Sequence, residues 1–252
     1  LTLLDYDKNK KYRIIIATSD NKVYLYDKLG NIIEGWEFEK TQGLVEQDIK
    51  LFQNNGKDYV VFRDNSKMYI VNRRGAERVT PEVNFALSQN SELFFSSSNS
   101  KEAAHFCITN PAGTVYKIYE DGTISKKELK KCSNYHDFIY FDVNGDRISD
   151  YIFTDNNRIE IFNGADDKRI FIKNFNTDIS YAPNLYMFSD SDVRFGTSSR
   201  GKIYLIDNKG EMSDNFPLTG EGFFSITTFD LTGQFSLIVG NNDNYLYKYN
   251  IK

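Results

Sequence analysis

The chain has 252 residues, of which 40% are hydrophobic, 26% charged and 15% aromatic, and its formal net charge is -4. Its Lys and Arg residues form no cluster dense enough to neutralise a row of phosphates, which argues against a nucleic-acid partner. No run of about 18 apolar residues and no signal-peptide pattern is present, so we expect no membrane insertion of this segment.

A short pattern recurs along the chain, in which an apolar strand runs into a glycine turn. Its six copies are VYLYDKLG at 23–30, MYIVNRRG at 68–75, VYKIYEDG at 115–122, IEIFNG at 159–164, IYLIDNKG at 203–210 and LYKYN at 246–250. The second residue of each copy serves as a marker, and the markers are Tyr24, Tyr69, Tyr116, Glu160, Tyr204 and Tyr247. Successive markers are 45, 47, 44, 44 and 43 residues apart. A period of this length, with room for four strands, is typical of the blades of a β-propeller.

The marker strands are apolar on both faces. In the first copy Val23 and Leu25 lie on one face, and Tyr24 and Tyr26 lie on the other. A strand with one wet face would alternate apolar and polar residues, whereas a blade between two neighbours is covered on both faces. After the glycine turn we expect a weaker fourth strand, at 31–38 in the first repeat and at 211–218 in the fifth. Sustained helical periodicity is missing, so helices should be nearly absent.

The sequence therefore predicts an all-β fold, a single β-propeller domain over residues 1–252. Its repeats are 1–40, 41–82, 83–131, 132–177, 178–220 and 221–252. The last repeat stops at Tyr249 without a fourth strand, so its blade is either three-stranded or completed by a strand from the N-terminal side. Seven blades, with one preceding Leu1, is the alternative.

Two segments resemble a known group of proteins. The stretches FPLTGEGFFSI at 216–226 and FSLIVGNNDNYLYKYNIK at 235–252 resemble the C-terminal β-propeller region of large uncharacterised envelope proteins of gut anaerobes. More broadly, the repeat resembles quinoprotein and WD40-like propellers. The first resemblance implies the terminal propeller of a longer exported protein, with an extracytoplasmic location, in the periplasm, at the outer membrane or secreted. It also implies that the chain naturally ends at Lys252, and it implies no known enzyme activity.

The stretch FDVNGDRISD at 141–150 is a candidate calcium loop. Hard cations take six to eight oxygen ligands, which a tight loop supplies from alternating positions. The candidate ligands are the side chains of Asp142, Asn144, Asp146 and Asp150 and the backbone carbonyl of Ile148. The spacing resembles the calcium loops of integrin-type propeller blades, but Arg147 stands where those loops have glycine, and Gly145 comes one place early. The alternative is an Asx turn, in which Asp142 and Asn144 accept backbone N–H groups.

Two other repeats carry weaker copies of this loop. DYDKNKKYR at 5–13 matches at Asp5, Asp7 and Asn9 but has Arg13 at the last position, and DLTGQFS at 230–236 retains one carboxylate. A series of this kind is consistent with a loop that has lost its metal ligands in most blades.

Catalytic signals are weak. His105 and His136 are the only histidines, and each lies in an aromatic, strand-like setting typical of packing residues. The single tryptophan, Trp36, occupies the repeat position of Phe216, which indicates packing. One Trp and no adjacent cysteine pair argue against a quinone cofactor, and Cys107 and Cys132 are predicted to be unlinked thiols.

The sequence therefore favours a non-catalytic binding or scaffold module of a larger envelope or secreted protein. Its ligand is expected to be a protein or a glycan at the propeller face or rim. The alternatives are a glycan-binding module of a polysaccharide-handling system and a propeller enzyme, either a lyase or a quinoprotein-like enzyme.

Overall fold

The computed structural model describes residues 1–82, 86–99, 101–189, 192–229 and 233–251. These residues form 22 β-strands in six antiparallel sheets and no helix. Accordingly, the described part of the chain offers no helix long and apolar enough to span a membrane. The contacts divide the chain into two units, Leu1–Tyr135 and His136–Lys252.

The first unit contains three sheets, and in each of them every strand pairs with the next in the chain. Sheet 1 consists of β1 (Thr2–Leu4), β2 (Arg13–Ala17) and β3 (Val23–Tyr26). Sheet 2 consists of β4 (Lys50–Asn54), β5 (Lys57–Arg63), β6 (Met68–Val71) and β7 (Glu77–Val79). Sheet 3 consists of β8 (Phe94–Ser96), β9 (His105–Thr109), β10 (Val115–Tyr119) and β11 (Ile124–Lys127).

The second unit contains three more sheets of the same design. Sheet 4 consists of β12 (Asp137–Phe141), β13 (Asp150–Asp155), β14 (Arg158–Phe162) and β15 (Arg169–Asn174). Sheet 5 consists of β16 (Asn184–Ser189), β17 (Asp192–Ser199), β18 (Lys202–Asp207) and β19 (Leu218–Thr219). Sheet 6 consists of β20 (Phe224–Thr228), β21 (Phe235–Gly240) and β22 (Leu246–Ile251).

The six predicted repeats are confirmed as six sheets. Each marker residue lies in the third strand of its own sheet, from Tyr24 in β3 to Tyr247 in β22. The described residues contain no seventh sheet. Sheet 6 has three described strands, which agrees with the first of the two predicted endings, and a strand contributed from before Leu1 stays a prediction.

The prediction of a fourth strand in every complete blade is wrong for sheet 1. Residues 31–38 form no strand, and isolated bridges between Tyr26 and Ile32 and between Lys22 and Lys40 take the place of a continuous strand pairing. In sheet 5 the fourth strand is only the two-residue β19, at the end of the predicted run. A hydrophobic pattern cannot distinguish such a looped segment from a strand, because both bury alternate residues.

The turns after β3 and β18 are built alike. Gly30 has a φ of +84° and Gly210 a φ of +85°, a left-handed conformation that costs glycine little. Each turn is also held by an aspartate: Asp27 Oδ1 accepts the N–H of Leu29 at 2.8 Å, and Asp207 Oδ1 accepts that of Lys209 at 2.9 Å. These Asx turns explain why the D-x-x-G pattern recurs.

Gly164 has a different role from the one its repeat position predicts. Its φ is not positive, and Asp167 adopts the left-handed conformation of that turn, with a φ of +61°. A Cβ atom on Gly164 would lie 2.1 Å from the carbonyl oxygen of Ser149. Glycine is therefore required here for a close backbone approach.

The hydrophobic cores lie between neighbouring sheets of each unit. In β5 the fully buried Val60 packs into the core between sheets 1 and 2, and its neighbour Val61 packs into the core between sheets 2 and 3. Consecutive strand residues point to opposite faces, so a strand apolar at every position fills two cores. In the second unit Ile206 packs with sheet 4, and Leu205 packs with sheet 6. Burying each such side chain stabilises the fold by about 1.5–3 kcal/mol.

Candidate functional site

The predicted calcium loop is the hairpin that joins β12 to β13. The carboxylate of Asp142 accepts the N–H of Gly145 at 2.8 Å through Oδ1 and the N–H of Arg147 at 2.7 Å through Oδ2. Asn144 Oδ1 accepts the N–H of Asp146 at 2.9 Å. Arg147 has a φ of +70°, so the chain turns at the sixth position although glycine is missing there. The Asx-turn interpretation of Asp142 and Asn144 thus describes the structure directly.

The last two side-chain positions of the loop also bind backbone. Asp146 Oδ1 accepts the N–H of Ile148 at 2.7 Å. Asp150 is fully buried, and its two oxygens accept the N–H of Val143 at 3.0 Å and that of Gly164 at 2.9 Å. Asp150 therefore ties the loop to the turn that follows β14.

The electrostatic environment of Asp150 disfavours its charge. Burial is the main cause that raises the pKa of Asp150 to about 6, and the nearby carboxylates of Asp142 and Asp146 raise it further. The two backbone N–H groups oppose this rise because they stabilise the ionised form.

The described residues contain no group of three or more His, Cys, Asp or Glu side chains placed to hold a metal ion. The five candidate ligands share one loop, but their side-chain oxygens accept backbone N–H groups, and Asp150 faces the backbone of Val143 and Gly164. The geometry favours a polar turn, and a calcium ion stays a prediction that a titration tests.

The loop at 5–13 in sheet 1 has the same backbone design. Asp5 accepts the N–H groups of Asn9 and Lys10 at 3.1 Å each, and Asn9 Oδ1 accepts that of Lys11 at 2.9 Å. Lys10, like Arg147, has a positive φ, of +62°. The residue that corresponds to Asp150 is Arg13. The third copy begins at Asp230, which lies outside the described residues.

Both histidines are fully buried strand or strand-end residues. His105 Nδ1 lies 2.8 Å from the carbonyl oxygen of Ala103, and burial lowers the pKa of this imidazole. The His136 ring lies 6.2 Å from the ring of Phe153. Cys107 is buried, which raises the pKa of its thiol, and Cys132 is half-buried; no disulfide joins the two cysteines.

Trp36 lines an open cleft of about 530 Å³ beside the outer edge of β3. Its Nε1 donates to the carbonyl oxygen of Val23 at 2.8 Å, and its half-buried ring packs against the core of sheets 1 and 2. Packing, as the sequence predicted, thus accounts for one side of the indole. The cleft itself was not predicted.

Sheet 6 carries an apolar patch on the surface, which we call the sheet 6 patch: Phe223, Tyr245 and Leu246. Their exposed fractions are 72%, 70% and 74%. Leu246 pairs with Gly240, and Phe223 directly precedes Phe224, which pairs with Val239, so the three residues share one end of the sheet. A Cβ atom on Gly240 would meet nothing within 4 Å, so the space beside them is open.

This patch was not predicted from the sequence, although the sequence carries two signals for it. The pairs Phe223–Phe224 and Tyr245–Leu246 are consecutive apolar residues at the start of a strand. Successive strand side chains point to opposite faces, so at least one residue of each pair faces outward wherever a sheet has a single covered face, and at Tyr245 and Leu246 both are exposed.

Comparisons with solved structures identify the fold. The structure of BBS1N in complex with ARL6DN, soaked with lead, is similar with a TM-score of 0.58 and 10% identity over 99% of this chain and 76% of that one. BamB from Moraxella catarrhalis is similar with a TM-score of 0.54 and 9% identity over 95% of this chain and 67% of that one. Neither a protein-family model nor a curated protein sequence matches. At these identities the likeness shows the fold, a β-propeller with six blades in the described residues.

Proposed function

We propose that the chain is a non-catalytic protein-binding module whose sheet 6 patch contacts the partner. The exposure of Phe223, Tyr245 and Leu246 at one end of one sheet is the observation that supports this proposal. Large apolar side chains exposed close together mark interaction sites in folded proteins, because leaving them in water forgoes the free energy of burial.

Aromatic side chains are well suited to this role. Phe223 also makes an edge-to-face contact with Tyr181, with ring centroids 5.1 Å apart, which limits its rotamers before binding. A preorganised aromatic anchor loses less conformational entropy on binding than a free one. Protein recognition by a fold of this kind also has a parallel in the BBS1N structure, which is a complex with ARL6DN.

The buried histidines support the absence of catalysis. An acid–base catalyst must reach the proton that it transfers, and both His105 in β9 and His136, which directly precedes β12, are fully buried. Cys107 is buried and its raised pKa disfavours the thiolate, which is the nucleophilic form.

We place the module outside the cytoplasm, as part of a longer envelope or secreted protein. This part of the proposal is supported by the sequence resemblance of 216–226 and 235–252. Fractionation of cells that express the native gene tests it, and recovery of the protein in the cytoplasm alone would overturn it.

The protein-binding proposal is tested by photo-crosslinking followed by a binding measurement. A photoreactive phenylalanine analogue replaces Tyr245 in the native host, with replacement of Phe229 as the control. Phe229 is 58% exposed but lies beyond the opposite end of β20. We expect Tyr245 to yield one cross-linked protein that Phe229 does not, and equal products from both positions would contradict the proposal.

The purified partner is then titrated against two double variants. Phe223→Ser with Leu246→Ser should weaken binding by about tenfold or more, since hot-spot residues dominate an interface. The matched control, Phe229→Ser with Met187→Ser, also removes two exposed apolar residues of the same unit and should change the affinity by less than about twofold. Equal losses in the two variants would overturn the assignment to the sheet 6 patch.

A further inference from the structure

The cleft beside β3 lies against the outer segment of sheet 1, which is one residue longer than its counterpart in sheet 5. In both sheets 1 and 5 the segment is hydrogen-bonded at its start: Ile33 N donates to Leu25 O at 2.9 Å, and Ser213 N donates to Leu205 O at 2.8 Å. In sheet 5 the segment returns to pair Thr219 with Lys202.

In sheet 1 the outer segment pairs again with the neighbouring strand one residue later than it does in sheet 5. Between its two bridges the segment runs from Ile32 to Lys40, which is one residue longer than the run from Met212 to Thr219 in sheet 5. The stretch opposite runs from Lys22 to Tyr26 in sheet 1 and from Lys202 to Ile206 in sheet 5, and it has the same length in both sheets. The longer outer segment of sheet 1 and the edge of β3 together line the cleft of about 530 Å³.

The outer segment of sheet 1 also contacts sheet 2. Glu37 N donates to the carbonyl oxygen of Arg74 at 2.7 Å. A Cβ atom on Gly75 would lie 2.7 Å from the backbone nitrogen of Phe38, so the segment and the turn of sheet 2 are in close contact. The cleft is thus built into the packing of sheets 1 and 2, and it has the volume of a small-ligand site.

The lining of the cleft is apolar at its centre and cationic at one end. Ile32, Ile33, Trp36 and Phe38 supply the apolar surface. Lys22 and Lys40 lie directly opposite one another as a bridge pair, an arrangement in which like charges repel.

This repulsion is only partly relieved within the chain. Lys22 Nζ lies 3.5 Å from Asp20 Oδ2, and within the described ranges Lys40 forms no ion pair. Glu39 is the third charged residue of the lining, and Lys40 is the lysine of the cleft that forms no ion pair with a described carboxylate. An anionic group at this end would reduce the repulsion between the lysines.

We propose that this cleft binds a small amphipathic carboxylate, a free molecule with an aromatic or branched apolar body. The body lies against Trp36, Phe38 and the two isoleucines, and the carboxylate lies between Lys22 and Lys40. The cleft belongs to the first unit and the sheet 6 patch to the second. Binding at the cleft can therefore be tested independently of the proposed protein partner.

The experiment uses the fluorescence of Trp36, which is the single tryptophan of the chain and lines the cleft. The probes are 4-phenylbutyrate and 4-phenylbutyramide, which share an apolar body and differ in charge. We expect the carboxylate to change Trp36 emission saturably and to bind about fivefold tighter than the amide. Equal affinities, or no saturation with either probe at millimolar concentration, would overturn the proposal.

Variants locate the binding site. Lys22→Gln with Lys40→Gln should reduce the affinity for the carboxylate to that for the amide and leave the amide unchanged. Ile32→Glu places a negative charge at the cleft and should abolish saturable binding of the carboxylate. The matched control Leu29→Glu changes an apolar residue that is 77% exposed in the same sheet but outside the cleft, and it should bind as the parent does. Unchanged binding by Ile32→Glu, checked by calorimetry, would place the probe elsewhere and refute the site.

Discussion

The loops at 5–13 and 142–150 have the same backbone design but different closing residues. In both, an aspartate at the first position accepts two backbone N–H groups, and a basic residue at the sixth position has a positive φ. Leu4 pairs with Arg13 and Phe141 pairs with Asp150, so the closing residues occupy equivalent positions. Only Asp150 is buried and binds the next turn of its sheet. The comparison shows that the turn does not depend on a metal-binding set of carboxylates.

The largest expected effect is a difference in stability between substitutions of the two closing residues, Asp150 and Arg13. Asp150→Ala should lower the free energy of unfolding by about 2–4 kcal/mol, because the N–H groups of Val143 and Gly164 lose their buried acceptors. Arg13→Ala, at the equivalent half-exposed position, should cost less than about 1 kcal/mol. Urea unfolding measures both free energies. Equal losses would show that the closing residue contributes equally to stability in the two loops, which would contradict the prediction.

The first positions of the loops should behave alike. Asp142→Ala and Asp5→Ala each remove an acceptor of two exposed N–H groups and should each cost about 1 kcal/mol, as the loss of a capping side chain does. A loss at Asp142 that exceeds the loss at Asp5 by more than about 1 kcal/mol would mean that the shared turn geometry does not determine the contribution of these residues.

Asp150 should also give its loop a distinct pH dependence. Its pKa is raised to about 6 in the folded chain, so the folded state binds a proton more tightly than the unfolded state, whose carboxyl has the ordinary value of 3.8. The contribution of this group to stability is therefore present below about pH 4 and is lost as the pH rises towards and through 6, by on the order of 3 kcal/mol. Unfolding of the parent and of Asp150→Asn is compared from pH 4 to pH 7. Parallel profiles would contradict a raised pKa.

Adding calcium should have the smallest effect on stability. Since the loop oxygens accept backbone N–H groups, we expect the same melting temperature in millimolar calcium and in chelator. A rise of several degrees in calcium that Asp142→Ala removes and Asp5→Ala retains would instead establish the set of Asp142, Asn144, Asp146, Ile148 and Asp150 as a calcium site. Thermal melts of the three proteins in both buffers decide the matter.

Much of the fold was predictable because its information is local and repeated. The marker strands could be found from Tyr24 onward, since a strand covered on both faces is apolar at consecutive positions. The Asx turn at Asp142 was predictable for the same reason, because its donors lie within five residues of the acceptor. The looped outer segment of sheet 1 was not predictable, since one added residue leaves the apolar pattern of Ile33, Trp36 and Phe38 unchanged.

The sequence by itself determined the number of sheets, the position of each marker strand and the polar turns, because periodicity and turn chemistry act over a few residues at a time. The tertiary structure decided where Asp150 points, why Gly164 is glycine, where the cleft opens and which apolar residues remain exposed. Each of these depends on atoms that are distant in the chain and close in space. For example, the N–H of Gly164 is fourteen residues from Asp150 but 2.9 Å from its carboxylate. Such contacts follow from the packing of whole sheets, which no local pattern encodes.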